Sequence, residues 1–245
     1  MTHYPFPDSR GTKIAFAAFF TAMLFLARDS MFTTAVIGFE KAQFLMLGVI
    51  CLLGVAFLIA NRRNLLQILK DRRMIVAGIA AAVLLLPMLV KRDWQLMYFS
   101  VLLCLLTAVL LSYFLTVREA AKYYVAILSL LGAYSVLAAY ILRIGVDRGA
   151  YAVPVFQNSM GFEFHNFFLS IVPDTYVKNR NFGIFREPGV YQFFLITALY
   201  LNNYEVEWKK TWQLWLVNGI LAATMVSTFA TGGVAGMGLL AIVLF

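Results

Sequence analysis

"NRNFGIFREPGVYQFFL", residues 179 to 195, sets two arginines and a glutamate at the edge of a hydrophobic run in an otherwise apolar chain. Pro188-Gly189 reads as a turn, and an apolar run follows from Val190 to Tyr204. Whether that run is buried core or a helix in lipid decides the fold. The chain has 245 residues, 62% hydrophobic and only 13% charged, against about 25% charged in an ordinary soluble domain. Its apolar residues come in runs approaching the roughly 20 needed to cross a bilayer. Backbone groups in lipid must be satisfied internally, which favours helices over open strands. The reading is an all-α, polytopic membrane helix bundle with about seven complete spans and a partial eighth.

Working outward from Val190, the expected spans are 14–27, 44–60, 74–90, 96–117, 123–142, 190–204, 212–229 and a partial 234–245, in a single membrane domain covering 1–245. The last run is too short to cross a bilayer, so the chain reads as the N-terminal fragment of a longer protein. Arg10 and Lys13 precede the first run as in a signal peptide, but no A-x-A type cleavage site follows, and the run reads as an uncleaved span. "NRRNLLQILKDRR", residues 61–73, suits a short basic surface helix. "FQNSMGFEFHNFFLSIV", residues 156–172, mixes aromatic and polar residues and suggests short interfacial helices with Phe164, Phe167, Phe168 and Ile171 towards the lipid or the bundle.

The net charge of +8 would suggest nucleic acid in a soluble protein. Here the basic residues lie between apolar runs and read as topology and headgroup contacts, so a nucleic-acid partner is excluded. With the N-terminus cytoplasmic, the inner segments hold eleven lysines and arginines and the short outer loops four. That places the long loop 145–189 on the outer face. Cys51 and Cys104 sit inside apolar runs and behave as small hydrophobes.

The charged stretch itself has two readings. Arginine and glutamate at a helix entrance are common as headgroup anchors. Three features favour function: the length of the loop, Gly183 and Gly189, which let the backbone bend close to a ligand, and the pattern R-x-x-G-x-x-R-E-P-G, which exceeds what anchoring needs. His165 reads as an interfacial polar residue, with catalysis the lesser alternative. Thr228, Thr231, Gly232 and Gly233 read as a site of tight helix packing.

"RNFGIFREPGVYQFFL" resembles the hallmark of bacterial O-antigen polymerases and ligases and of related capsule and exopolysaccharide polymerases, and "STFATGG" at 227–233 resembles their later S-x-T-G turn. The resemblance covers about residues 175–245; before that, only the hydropathy pattern matches. It implies a glycosyltransferase-C-type membrane fold and a multi-pass protein of the bacterial inner membrane. It implies transfer of a glycan from undecaprenyl diphosphate to an acceptor hydroxyl at the outer face, either another lipid-linked repeat unit or lipid A core. Its partners would be the lipid-linked oligosaccharide, membrane lipids, and chain-length regulator or export proteins; it implies no metal and no cofactor. By motif position Arg180 maps onto the diphosphate-binding arginine, with Arg186 in support and Gly183 and Tyr191 in the substrate-binding region. Glu187 either receives the acceptor's proton or holds Arg186 in a salt bridge. Competing classes are a transporter, a lipid-phosphate mannosyltransferase-like enzyme and a structural membrane subunit. The first lacks a visible repeated half, and the second lacks paired acids in its first outer loop, where Asp29 and Glu40 stand far apart.

Overall fold

The computed structural model describes residues 39–60, 70–92, 115–157, 161–174, 180–185 and 187–230, together with the isolated positions 18, 19, 21, 22, 24, 25, 30, 31, 101, 102, 105, 108, 109, 112 and 238. It divides into two compact units, one of Met1–Phe16 and Glu40–Thr116, the other of Ala17–Phe39 and Val117–Phe245.

Among the described residues the first unit contains two long apolar helices. In α1, Phe39–Ala60, the buried residues Ala42, Met46 and Ile50 recur every four positions and so form one stripe, while Phe44, Leu45, Leu52 and Val55 are exposed. Helix α2, Arg72–Lys91, begins where the Asp71 carboxylate accepts the Arg73 N–H at 2.8 Å, a side-chain cap for a donor with no partner inside the helix. It ends at Arg92 in the left-handed conformation, φ 51°, whose N–H returns to the Met88 carbonyl.

The second unit is built on α3, Val117–Asp147, α-helical to Leu137, with a π-helical turn at Ala138–Leu142 and a last α-helical stretch at Arg143–Asp147. Helices α4, Pro188–Tyr204, and α5, Thr211–Ser227, pack against α3 and against each other. Leu128 and Leu131 of α3, Tyr191, Leu195 and Ala198 of α4, and Leu221 and Met225 of α5 make the shared core. Gly132 permits the close approach: a Cβ there would lie 2.7 Å from Thr224 Oγ1. At the far end of α4 and α5 an amide network ties the pair together. Asn202 and Asn203 both donate to Asn218 Oδ1, at 2.8 and 3.1 Å, and Trp208 Nε1 donates to Asn202 Oδ1 at 2.8 Å.

A three-stranded antiparallel sheet follows α3, ordered β1 (Val155–Gln157), β2 (Glu163–Asn166), β3 (Ile171–Pro173). Phe156 pairs with Phe164, and Phe164 with Pro173. The sheet rests on the π-helical turn through Phe167 and Val172 packed with Ala138 and Ala139, and the Tyr134 hydroxyl donates to the Phe167 carbonyl at 2.6 Å.

This architecture corrects the expected all-α bundle of seven complete spans and a partial eighth, and with it the glycosyltransferase-C-type fold. Among the described residues two helices are long and apolar enough to cross a bilayer, Arg72–Val90 and Val117–Asp147. The second is 44% buried, as a core helix is. Helices α4 and α5, read as spans 190–204 and 212–229, are 17 residues each, about 25 Å against a hydrocarbon core of about 30 Å, and they bury amides and hydroxyls against one another. Hydropathy counts apolar residues without knowing what they face, so a packed core and a lipid-facing span read alike. The interfacial helices expected at 156–172 are corrected too: the described residues of this segment pair as antiparallel strands, with Phe164 and Ile171 buried. The expected runs 14–27, 96–117 and 234–245, the surface helix at 61–73, Cys104 and Arg186 lie wholly or largely outside the described residues.

Candidate functional site

The stretch 181–185 is a buried plug with charged ends. Asn181, Phe182, Ile184 and Phe185 are 6% exposed or less, whereas Arg180 and Glu187 on either side are exposed. Backbone hydrogen bonds hold the plug on three sides. Asn181 N–H donates to the Ser227 carbonyl at 3.0 Å, Ile171 N–H of β3 to the Gly183 carbonyl at 2.7 Å, and Met31 N–H to the Ile184 carbonyl at 2.8 Å. A buried backbone group without a partner would carry a large desolvation cost, so these bonds fix the path of the loop.

Asn181 is the hub. Its amide nitrogen donates to Ser135 Oγ at 2.8 Å and to Ser227 Oγ at 3.0 Å, and its carbonyl accepts the Gly183 N–H at 2.9 Å. The last bond closes an Asx-type turn. Gly183 adopts φ 56°, and a Cβ there would lie 2.6 Å from Tyr191 Cε1. Both the left-handed backbone and the aromatic ring pressed against it require glycine. Tyr191 is 1% exposed; its ring stands 5.3 Å from that of Phe185 and its hydroxyl lies 3.1 Å from Ser135 Oγ. Gly183 and Tyr191, both expected beside substrate, are buried and pack against each other.

Arg180 lines a cleft of about 460 Å³ with Gly189, Gln192, Phe193, Ile196, Phe229 and Ala230. Gln192 is buried and donates to Thr228 Oγ1 at 2.6 Å and to the Ala230 carbonyl at 2.7 Å, so it holds the 228–230 rim against α4. Phe193 and Phe229 are mostly exposed on the cleft walls. No acidic side chain lines the cleft among the described residues, and Arg180 has no ion-pair partner among them. A guanidinium without an ion-pair partner among the described residues, at a cleft with apolar walls, suits a ligand with an anionic head and an apolar body.

Glu187 is the N-cap residue of α4, extended at φ −141°, with no capping bond from its side chain; Pro188 follows in the first turn. It does not line the cleft with Arg180. His165 lies elsewhere, with Nε2 at 3.2 Å from Asp174 Oδ1. The nearly buried Arg143 donates to the Asp174 carbonyl at 3.1 Å and approaches the Asp147 carboxylate at 3.4 Å. That cluster anchors the end of β3 to α3.

Sequence reasoning missed Asn181, Ser135, Gln192 and the hydroxyls of Ser227 and Thr228 as the parts that hold the loop at 181–183 and the 228–230 rim of the cleft. A usable signal existed: two polar stretches, 180–187 and 227–233, each bordering an apolar helix, which the structure joins through Asn181–Ser227 and Gln192–Thr228. In comparisons with protein families, curated proteins and solved structures, the chain matches none.

Proposed function

We propose that the chain belongs to a bacterial inner-membrane glycosyltransferase that polymerises or transfers undecaprenyl-diphosphate-linked glycan units at the outer face, with Arg180 gripping the diphosphate. The observation that carries the reading is the Arg180 guanidinium, which has no ion-pair partner among the described residues, at a cleft walled by Phe193, Ile196 and Phe229. An anionic head on a polyisoprenoid matches that lining. Cleavage of a sugar–diphosphate bond leaves negative charge on the departing diphosphate, and a guanidinium at that point stabilises it as it develops. The Asn181 hub pre-sets the backbone beside Arg180, so the ordering that accompanies binding falls on the exposed Arg180 side chain. The resemblance of 180–195 and 227–233 to the O-antigen polymerase and ligase hallmarks supplies the glycan; the acceptor is a second lipid-linked unit in a polymerase, or lipid A core in a ligase.

Membrane placement rests on α2: 19 residues with only 6% buried, about 28 Å of apolar helix against a hydrocarbon core of about 30 Å. The test is glycan chain length or transfer, read on gels from cells producing wild type, Arg180→Ala or Arg180→Lys at equal membrane abundance. The reading expects loss of product with alanine and little recovery with lysine, whose ammonium cannot reproduce a two-pronged grip. Wild-type product from Arg180→Ala would make Arg180 a headgroup anchor and nothing more.

A further inference from the structure

We infer that the first unit carries a separate binding site for an anionic glycerophospholipid of the bilayer, with Arg72 on the headgroup phosphate. The site is a cavity of about 670 Å³ at the start of α2, lined by Asp71, Arg72 and Arg73 and then by Val76, Ala77 and Leu105, with Ala108, Val109 and Ser112 completing it. That volume falls in the range of small-molecule sites, about 300–1,000 Å³.

The three charged residues have distinct states. Asp71 is engaged in capping: its carboxylate accepts the Arg73 N–H and lies 3.6 Å from Arg73 Nε. Arg73 is engaged as well, because it also donates to the Ser112 carbonyl across the cavity. Arg72 is exposed and has no hydrogen-bond or ion-pair partner among the described residues. Two guanidiniums against one carboxylate leave the polar end cationic, and the positive end of the α2 dipole adds to it. Lys70 is exposed next to it, and Arg62 and Arg63 precede it in sequence.

The remainder of the lining selects the ligand class. A soluble anion would leave Val76, Ala77, Leu105 and Val109 unused, and a zwitterionic or neutral lipid would leave Arg72 without a net negative partner. Beyond the cavity, α2 continues as an apolar surface, with Ile75, Ile79, Val83 and Leu86 exposed. An acyl chain entering at Val76 can therefore run on along the helix. Basic clusters beside apolar helices attract anionic headgroups at about 1 kcal/mol per lysine or arginine. The inference rests on the bilayer part of the proposed function and not on its glycan chemistry.

The experiment titrates the full chain in detergent with phosphatidylglycerol or phosphatidylcholine and counts bound lipid by native mass spectrometry. Wild type should prefer phosphatidylglycerol by about tenfold, and Arg72→Gln should abolish that preference, as expected for one charge-assisted contact. Arg72→Lys should keep most of it, which separates charge from misfolding. Ala77→Trp, which fills the apolar half, should weaken both lipids, and inorganic phosphate should not displace the lipid. Unchanged preference in Arg72→Gln, or displacement by phosphate alone, would overturn the site. Equal retention of the two lipids by wild type refutes this inference and leaves the bilayer reading standing; no retention of either refutes both.

Discussion

Gly183→Ala tests the plug most sharply, because two independent penalties meet there. At φ 56° a non-glycine residue sits in the left-handed region, at roughly 1–2 kcal/mol. Its Cβ would also lie 2.6 Å from Tyr191 Cε1 and 2.8 Å from Cζ. The ring cannot swing away easily: it is 1% exposed, packs on Phe185, and its hydroxyl is engaged with Ser135. Overpacking of this kind costs about 1–3 kcal/mol, so the sum is about 2–5 kcal/mol. For a chain of this size each kcal/mol lowers the unfolding midpoint by about 2–4 °C, giving a fall of roughly 4–20 °C in thermal unfolding of detergent-purified protein. Gly189→Ala is the control, since nothing lies within 4 Å of a Cβ there and its φ is ordinary; it should leave the midpoint unchanged or raise it. In a Tyr191→Ala background the cost of Gly183→Ala should shrink to the backbone part, about 1–2 kcal/mol. A Gly183→Ala midpoint equal to that of Gly189→Ala would refute the packing argument, and an undiminished cost in the Tyr191→Ala background would refute the division into two causes.

Asn181→Leu should destabilise by about 2–4 kcal/mol, because two side-chain hydrogen bonds are lost and the Gly183 N–H is left unpaired in the core; chemical unfolding reads it. Arg143→Met keeps the apolar stem but removes the bond to the Asp174 carbonyl and the pairing with Asp147, and should lower stability by about 1.5–3 kcal/mol in the same assay. Arg118→Ala should give no measurable change, since Arg118 and Glu207 pair with side chains 68% and 76% exposed.

Three helix starts were legible in the sequence, while α1 begins at Phe39 and not at the expected Phe44. The expected starts at Met74, Val190 and Trp212 fall within two residues of Arg72, Pro188 and Thr211, because Asp71 and Pro188 are local stop and start signals that tertiary contacts do not override. The expected run starts at Tyr123, after Arg118 and Lys122; the helix instead begins at Val117 and runs through them, and Arg118 pairs with Glu207. What the helices face was not legible: Asn202, Asn203 and Asn218 sit in runs apolar enough to pass for spans, and only their mutual hydrogen bonds reveal a packed pair. The sheet was not legible because aromatic residues at 156–172 suit both an interface helix and a strand, and the burial of β2 and β3 does not follow a strict alternation. At the site, Arg180 was legible from its charge, while its support was not, since Asn181 and Ser135 are 46 residues apart.

The central claim is that Arg180 grips the diphosphate of a polyprenyl-linked ligand, and direct binding tests it most plainly. The full chain in detergent is titrated with a polyprenyl diphosphate and with the corresponding alcohol, in wild type and in Arg180→Ala. Two charge-assisted hydrogen bonds at roughly 1.5–3 kcal/mol each amount to about a hundredfold or more at 1.4 kcal/mol per tenfold. The account predicts that Arg180→Ala weakens the diphosphate by that factor and leaves the alcohol unchanged. Equal diphosphate affinity in wild type and Arg180→Ala would contradict it.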